Sequence, residues 1–277
     1  MIRQFIFSLV IGIALALSAC QKKQESTLEN MLQTRKLQVT FVPSPPFCIK
    51  NPITGAYTGY MPELVDSLVA LVEAEFGVEI EIVVEEATFG TTPSTLTSGL
   101  SKVATVELYN TEERAKVVDF LKPLFYMGFG VVVRKDDARF HGVRNISEFN
   151  RSDLKGFVAT GEAGHSWAEK NLPLASIVNI MVDASDITRF ALGVLPKYRD
   201  ADFALAGKDV IDLIVNAHSE VVNPFEQNPF GLTAVSWAVR KGDNEWRDVL
   251  QIRLDILAAR GVMHQLESKH GINVIHK

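Results

Sequence analysis

The chain has 277 residues with 47% hydrophobic content, enough apolar material for one large domain or for two lobes. Lys and Arg number 28 against 33 Asp and Glu, a net charge of −5, which argues against a nucleic-acid partner that would need a basic face. With only Cys48 following Cys20, no internal disulfide framework is available, so the folded part must stand on its core. At the start, Arg3 precedes an apolar stretch from Phe5 to Leu17 and then the small pair Ser18 and Ala19. That layout reads as a secretory signal peptide over residues 1–19, and its apolar run falls short of the roughly 20 residues a membrane-crossing helix needs.

Leu17-Ser18-Ala19-Cys20 resembles a bacterial lipobox, which implies lipidation of Cys20 and anchoring to a bacterial membrane. The alternative is ordinary cleavage near Ala19, leaving Cys20 as a free thiol and the protein soluble in the periplasm. Gln21 to Glu29 are polar and lack apolar periodicity, so residues 20–30 read as a tether. Leu37 to Val42 reads as a buried strand closed by Pro43-Ser44-Pro45-Pro46, and Gly55 and Gly59 bracket a turn. From Met61 to Phe76, Leu64, Leu68, Leu71, Val72 and Phe76 share one helical face, with Gly77 placed to end the helix. Glu79 to Val84 is the next strand, completing a βαβ unit.

A long β segment, Phe125 to Arg134, precedes a second α/β series. That series has strands at 156–159, 177–182 and 202–206, with helices at 163–170 and 187–195. A second long β segment, Gly231 to Arg240, leads into closing helices over 246–260 and 262–270. Two α/β lobes joined by two extended crossing strands is the simplest architecture for this order. It divides the chain into lobe 1 (31–127 and 233–277) and lobe 2 (128–232).

Several phrases in this order make the chain similar to the family-3 extracellular solute-binding proteins, the periplasmic amino-acid-binding proteins of ABC importers. They are Pro45-Pro46-Phe47, Thr58-Gly59-Tyr60, Leu96-Thr97-Ser98-Gly99, Thr111-Glu112-Glu113-Arg114, Val118-Asp119-Phe120, Pro123-Leu124-Phe125, Asp153-Leu154-Lys155-Gly156 and Val239-Arg240-Lys241-Gly242-Asp243. The resemblance covers the whole mature domain and implies a Venus-flytrap fold whose lobes close on a solute. The hinge would lie near Tyr126 to Gly128 and Leu232 to Ala234.

By that resemblance Arg114 grips the ligand carboxylate with its planar guanidinium fork, where a surface arginine in a helical turn is the plain alternative. Thr111 is either an N-cap alone or a cap that also touches ligand. Phe89 supplies an aromatic wall or a core side chain, and Phe47 and Tyr60 rank behind it, with Ser44 a small polar alternative. The chain departs from the family pattern at Glu107 and Tyr109, where small hydroxyl or glycine positions are usual, and at Lys102, where an acid is usual. A carboxylate beside Arg114 would partly neutralise it or select a cationic ligand group. Gly161 and Glu162, in Thr160-Gly161-Glu162-Ala163-Gly164-His165, open a helix whose free N–H groups suit an anion, or form a plain turn. The family's ammonium-binding aspartate is replaced by Gly207, with Asp209 two residues on as its substitute or as ordinary helix-start chemistry.

No Gly-x-Ser-x-Gly, P-loop, His-Glu-x-x-His or cysteine cluster is present, so no cofactor, metal or catalytic residue is expected. The leading function is a monomeric binding protein handing a small carboxylated solute to an ABC permease. The alternatives are a sensory protein of the same fold, or an enzyme similar to cyclohexadienyl dehydratases using Glu107 or Glu162 beside Arg114.

Overall fold

The computed structural model describes residues 26–180 and 201–277. The signal peptide, Cys20 and the helix expected over 187–195 lie outside the described residues. In chain order the elements begin with α1 (Thr27–Thr34), β1 (Lys36–Phe41), β2 (Ile49–Lys50), β3 (Tyr57–Thr58), α2 (Tyr60–Phe76), β4 (Glu81–Glu86) and α3 (Thr92–Thr97). Then follow β5 (Val103–Tyr109), α4 (Glu112–Ala115), β6 (Val118–Phe120) and β7 (Phe125–Arg134). The second half holds β8 (Lys155–Ala159), α5 (Ala163–Asn171), β9 (Ser176–Ile180), β10 (Phe203–Gly207) and α6 (Lys208–Ala217). The chain closes with β11 (Val221–Val222), β12 (Phe230–Arg240), α7 (Asn244–Ala259) and α8 (Val262–His270).

One sheet runs through both halves in the order β4-β1-β5-β12-β7-β10-β8-β9. On one side β4, β1 and β5 are parallel, and on the other β10, β8 and β9 are parallel. These are the two α/β units read from the strand and helix order, and parallel strands of this kind need helical crossovers. Between them β7 and β12 run antiparallel as the two crossings, paired at Phe230 with Phe129 and at Thr233 with Met127. Their register shifts between those two pairs. Gly128 is required here, because a Cβ on it would fall 2.8 Å from the Phe230 carbonyl oxygen and 2.9 Å from Pro229 Cβ.

Helix α2 forms as its periodicity predicts, with Leu64, Leu68 and Val72 buried together with Val65 and Val69. Gly77 ends it at φ 65°, donating its N–H to the Glu73 carbonyl at 2.8 Å. Phe76, expected on the apolar face, is exposed instead, and the Arg253 guanidinium lies over its ring. The first core is centred on Trp237, Trp246, Tyr60, Phe47 and Phe125.

The tether reading of residues 20–30 is corrected from Ser26 onward. Ser26 caps α1 in a reciprocal capping box with Glu29, and Met31 is buried with Leu28 and Leu32 packed against the same core. The polar run hid a cap, because Ser and Glu in that spacing are helix-start chemistry as well as linker composition.

Candidate functional site

A nearly closed cleft, with a cavity of about 20 Å³, sits where the parallel strands of the two halves point their C-terminal ends at each other. Its walls carry Phe89, Glu107, Tyr109 and Arg114 from the first half, and Glu162, Gly164 and Asp209 from the second. Phe129, on the crossing strand β7, closes one side.

Arg114 is 7% exposed and enters from the short helix α4, whose Thr111 cap accepts the Arg114 backbone N–H. Thr111 thus acts as a cap and is not among the cleft-lining residues. The guanidinium reaches back over β5: Nη1 donates to the Tyr109 carbonyl at 3.1 Å, and Nη2 to the Phe89 carbonyl at 3.3 Å. Nη2 also donates across the cleft to the Gly161 carbonyl at 3.1 Å. One side chain therefore ties both halves together. Beside it Gly161, at φ 80°, faces Gly90 so closely that a Cβ on Gly161 would fall 2.6 Å from Gly90 Cα. Burial draws the Arg114 pKa down to about 10, so it stays charged at neutral pH.

Three acids face this single cation. Glu107 on β5 is 2% exposed, its Oε1 accepts the Ser44 hydroxyl, and its Oε2 has no hydrogen-bond partner among the described residues. Burial, with the charges of Asp209 and Glu162, raises it to about 8 against the opposing Ser44 bond. Glu162 precedes α5 as its N-cap residue without a side-chain cap bond, and burial and Asp209 raise it to about 7 while Arg114 opposes the rise. Asp209 stands in the first turn of α6, and burial raises it to about 6 against backbone hydrogen bonds from Val210 and itself. Tyr109 stacks on Phe129 at 5.2 Å between ring centres and 14° between planes, and its hydroxyl donates to the Gly128 carbonyl at 3.1 Å. Phe129 in turn meets Trp167 and Phe230, giving the cleft an aromatic side.

The structure thus brings together Arg114, Phe89, Glu107, Tyr109, Glu162 and Asp209, and places Gly161 at the seam through its carbonyl. Phe47 is a correction: it is 2% exposed and packs between Tyr60 and Phe125 in the first core, away from the cleft walls. A large ring next to two prolines fills the space under the first loop, and the polar member of that loop, Ser44, points to Glu107 instead. Lys102 lies before the opposite end of β5, where its carbonyl accepts the Trp246 indole N–H. Phe129 was missed, although the glycines on either side of it, Gly128 and Gly130, mark a place where a ring is let into a tightly approached strand.

The family model of the bacterial extracellular solute-binding proteins, family 3, matches residues 37–273. The chain belongs to that family. A search of curated proteins finds no matching relative. Among solved structures, the fold is similar to the ancestral amino acid-binding protein AncCDT-1, a precursor of cyclohexadienyl dehydratase, with TM-score 0.70 and 26% identity over 88% of this chain and 99% of that one. It is also similar to the substrate-binding protein AbpA of Streptococcus pneumoniae bound to L-arginine, with TM-score 0.71 and 20% identity over 90% and 100%. A third is the cysteine-binding protein of Campylobacter jejuni, with TM-score 0.72 and 17% identity over 88% and 92%. The fold of this family-3 protein is thus the two-lobed one of the periplasmic binding proteins. Among the described residues no helix is long and apolar enough to cross a membrane.

Proposed function

We propose that this family-3 protein captures a small carboxylated solute, an amino acid or derivative, between its lobes and delivers it to an ABC permease as a monomer. A lipid on Cys20 would hold it at the membrane. The observation that carries the reading is Arg114: a buried, charged guanidinium at the meeting point of the two halves, fixed by three backbone carbonyls. Those bonds use three of the five N–H groups of an arginine, including both on Nη2, so a two-pronged grip on a carboxylate needs the Nη2 N–H that opening the cleft frees from Gly161. Residues 31–127 with 233–277 and residues 128–232 move as the two lobes, hinged where β7 and β12 lose register.

A thermal-shift screen of the soluble domain from Gln24 onward against amino acids, their derivatives and other small carboxylates tests this reading. That start keeps the Ser26 cap. A ligand at 100 times its Kd adds about 2.7 kcal/mol, a clear shift, whereas a flat screen on folded protein counts against the reading. A permease and ATPase encoded beside the gene favour delivery over sensing.

One observation favours a second reading. Glu107 and Glu162 titrate near neutral pH close to an arginine, as the general acid of a dehydratase would. Turnover of prephenate or arogenate would establish that enzyme, and its absence leaves the binding role.

A further inference from the structure

Glu107 has a place in the cleft that carboxylate capture by Arg114 does not use. Its Oε1 is held by Ser44, and Ser44 is itself fixed by paired backbone bonds with Cys48, N–H to carbonyl in both directions at 2.8 and 3.0 Å. The Ser44 hydroxyl thus holds one oxygen of the carboxylate in place. Its Oε2 is buried, unpartnered among the described residues, and belongs to a residue that lines the cleft. Among the described residues, the groups recorded around it supply no cation. Ser44 and the neutral thiol of Cys48 face it from the first loop, Tyr109 from its own strand, Asp209 from α6 and Glu162 from the start of α5. The charges acting on it are acidic, whereas Arg114 eases the charge of Glu162. A fixed, buried carboxylate without a countercharge must either hold a proton or receive a positive group from outside the chain.

We propose that Glu107 is a specificity-determining second anchor, taking a cationic nitrogen of the solute, so that the preferred solute is a carboxylate with an additional positive group beyond its α-ammonium. This rests on the reading of Arg114 as the carboxylate grip, with Asp209 and Glu162 left for the α-ammonium. Three acids against one guanidinium leave the site short of positive charge by two when all are ionised. An amino acid with a charged side chain brings two cations and one anion, and a neutral one brings no net charge. Binding of the charged solute displaces the proton that Glu107 otherwise holds, since burial keeps its pKa near 8. The preference for a cationic solute over its neutral isostere therefore grows as pH rises from about 6 to 8, by up to about tenfold per unit.

Calorimetric titration of the soluble domain with L-arginine, L-lysine and L-citrulline tests this, citrulline keeping the shape of arginine without its charge. The expected result is that arginine or lysine binds at least about tenfold tighter than citrulline at pH 8, the gap narrows at pH 6, and Glu107→Gln brings the ratio close to one. Equal affinity of all three in the wild-type domain overturns the Glu107 anchor and leaves the Arg114 reading standing. A ratio that survives in Glu107→Gln overturns the anchor as well. If none of the three binds, the anchor is overturned, and the Arg114 reading is decided by the broader screen of carboxylates. If Glu107→Gln does not fold by circular dichroism, the wild-type pH series decides alone, a flat ratio sinking the proposal.

Discussion

Two buried polar clusters each include a side chain of strand β5, Thr105 in one and Glu107 in the other, and they are finished differently. At one, Thr40 Oγ1 meets Thr95 Oγ1 at 2.6 Å and donates to Ser101 Oγ at 2.8 Å, while Thr95 turns to the Thr92 carbonyl and Thr105 to the Thr40 carbonyl. That network closes on itself. At the other, among the described residues, Glu107 has one oxygen bonded and one bare, beside Glu162 and Asp209, with Arg114 as the only lining cation. A closed polar cluster stabilises the fold, and an open one costs stability until its bare group finds a partner. Composition does not separate the two, since both gather ordinary polar side chains from several distant segments.

The largest effect that sharpens this contrast is at Arg114. Arg114→Ala should weaken binding of a carboxylated ligand by about 100-fold or more in calorimetry, and Arg114→Lys should recover little because it lacks the fork. Undiminished binding by Arg114→Ala would misplace the carboxylate site. Next, Thr40→Val should cost about 1–3 kcal/mol in urea unfolding by orphaning its partners, with ligand affinity unchanged. A change in affinity would break the division between closed and open clusters. Gly161→Ala places a side chain at φ 80° against Gly90 and should cost about 1–2 kcal/mol of the closed form, lowering affinity by about tenfold. A further effect is on the pH dependence of stability. Glu107 holds its proton more tightly folded than unfolded, so between about pH 5 and 8 the native state binds more protons and unliganded stability falls as pH rises. Glu107→Gln should flatten that fall across the window, read from unfolding midpoints at each pH.

Much of the fold was legible because its signals are local. The 3.6-residue spacing in α2, the left-handed glycine that ends it, and the long apolar stretches of β7 and β12 each appear within a few turns of chain. Phe76 and the start of α1 were misread because whether a ring or a serine faces core or solvent depends on what packs there. For the cleft, Arg114 was readable through its phrase and its rigid fork, whereas Phe47 sat in an equally suggestive phrase and went to the core.

By itself the sequence determined two α/β units and two crossing strands, because periodicity and turn residues are properties of short segments, and its family phrase singled out Arg114. Tertiary structure alone decided that Asp209 reaches the cleft from α6, that Ser44 locks Glu107 with one oxygen bare, and that Arg114 bridges to Gly161. These depend on elements far apart in the chain meeting at the ends of their strands. Burial there, which no local pattern encodes, turns three ordinary acids into groups that titrate near neutral pH.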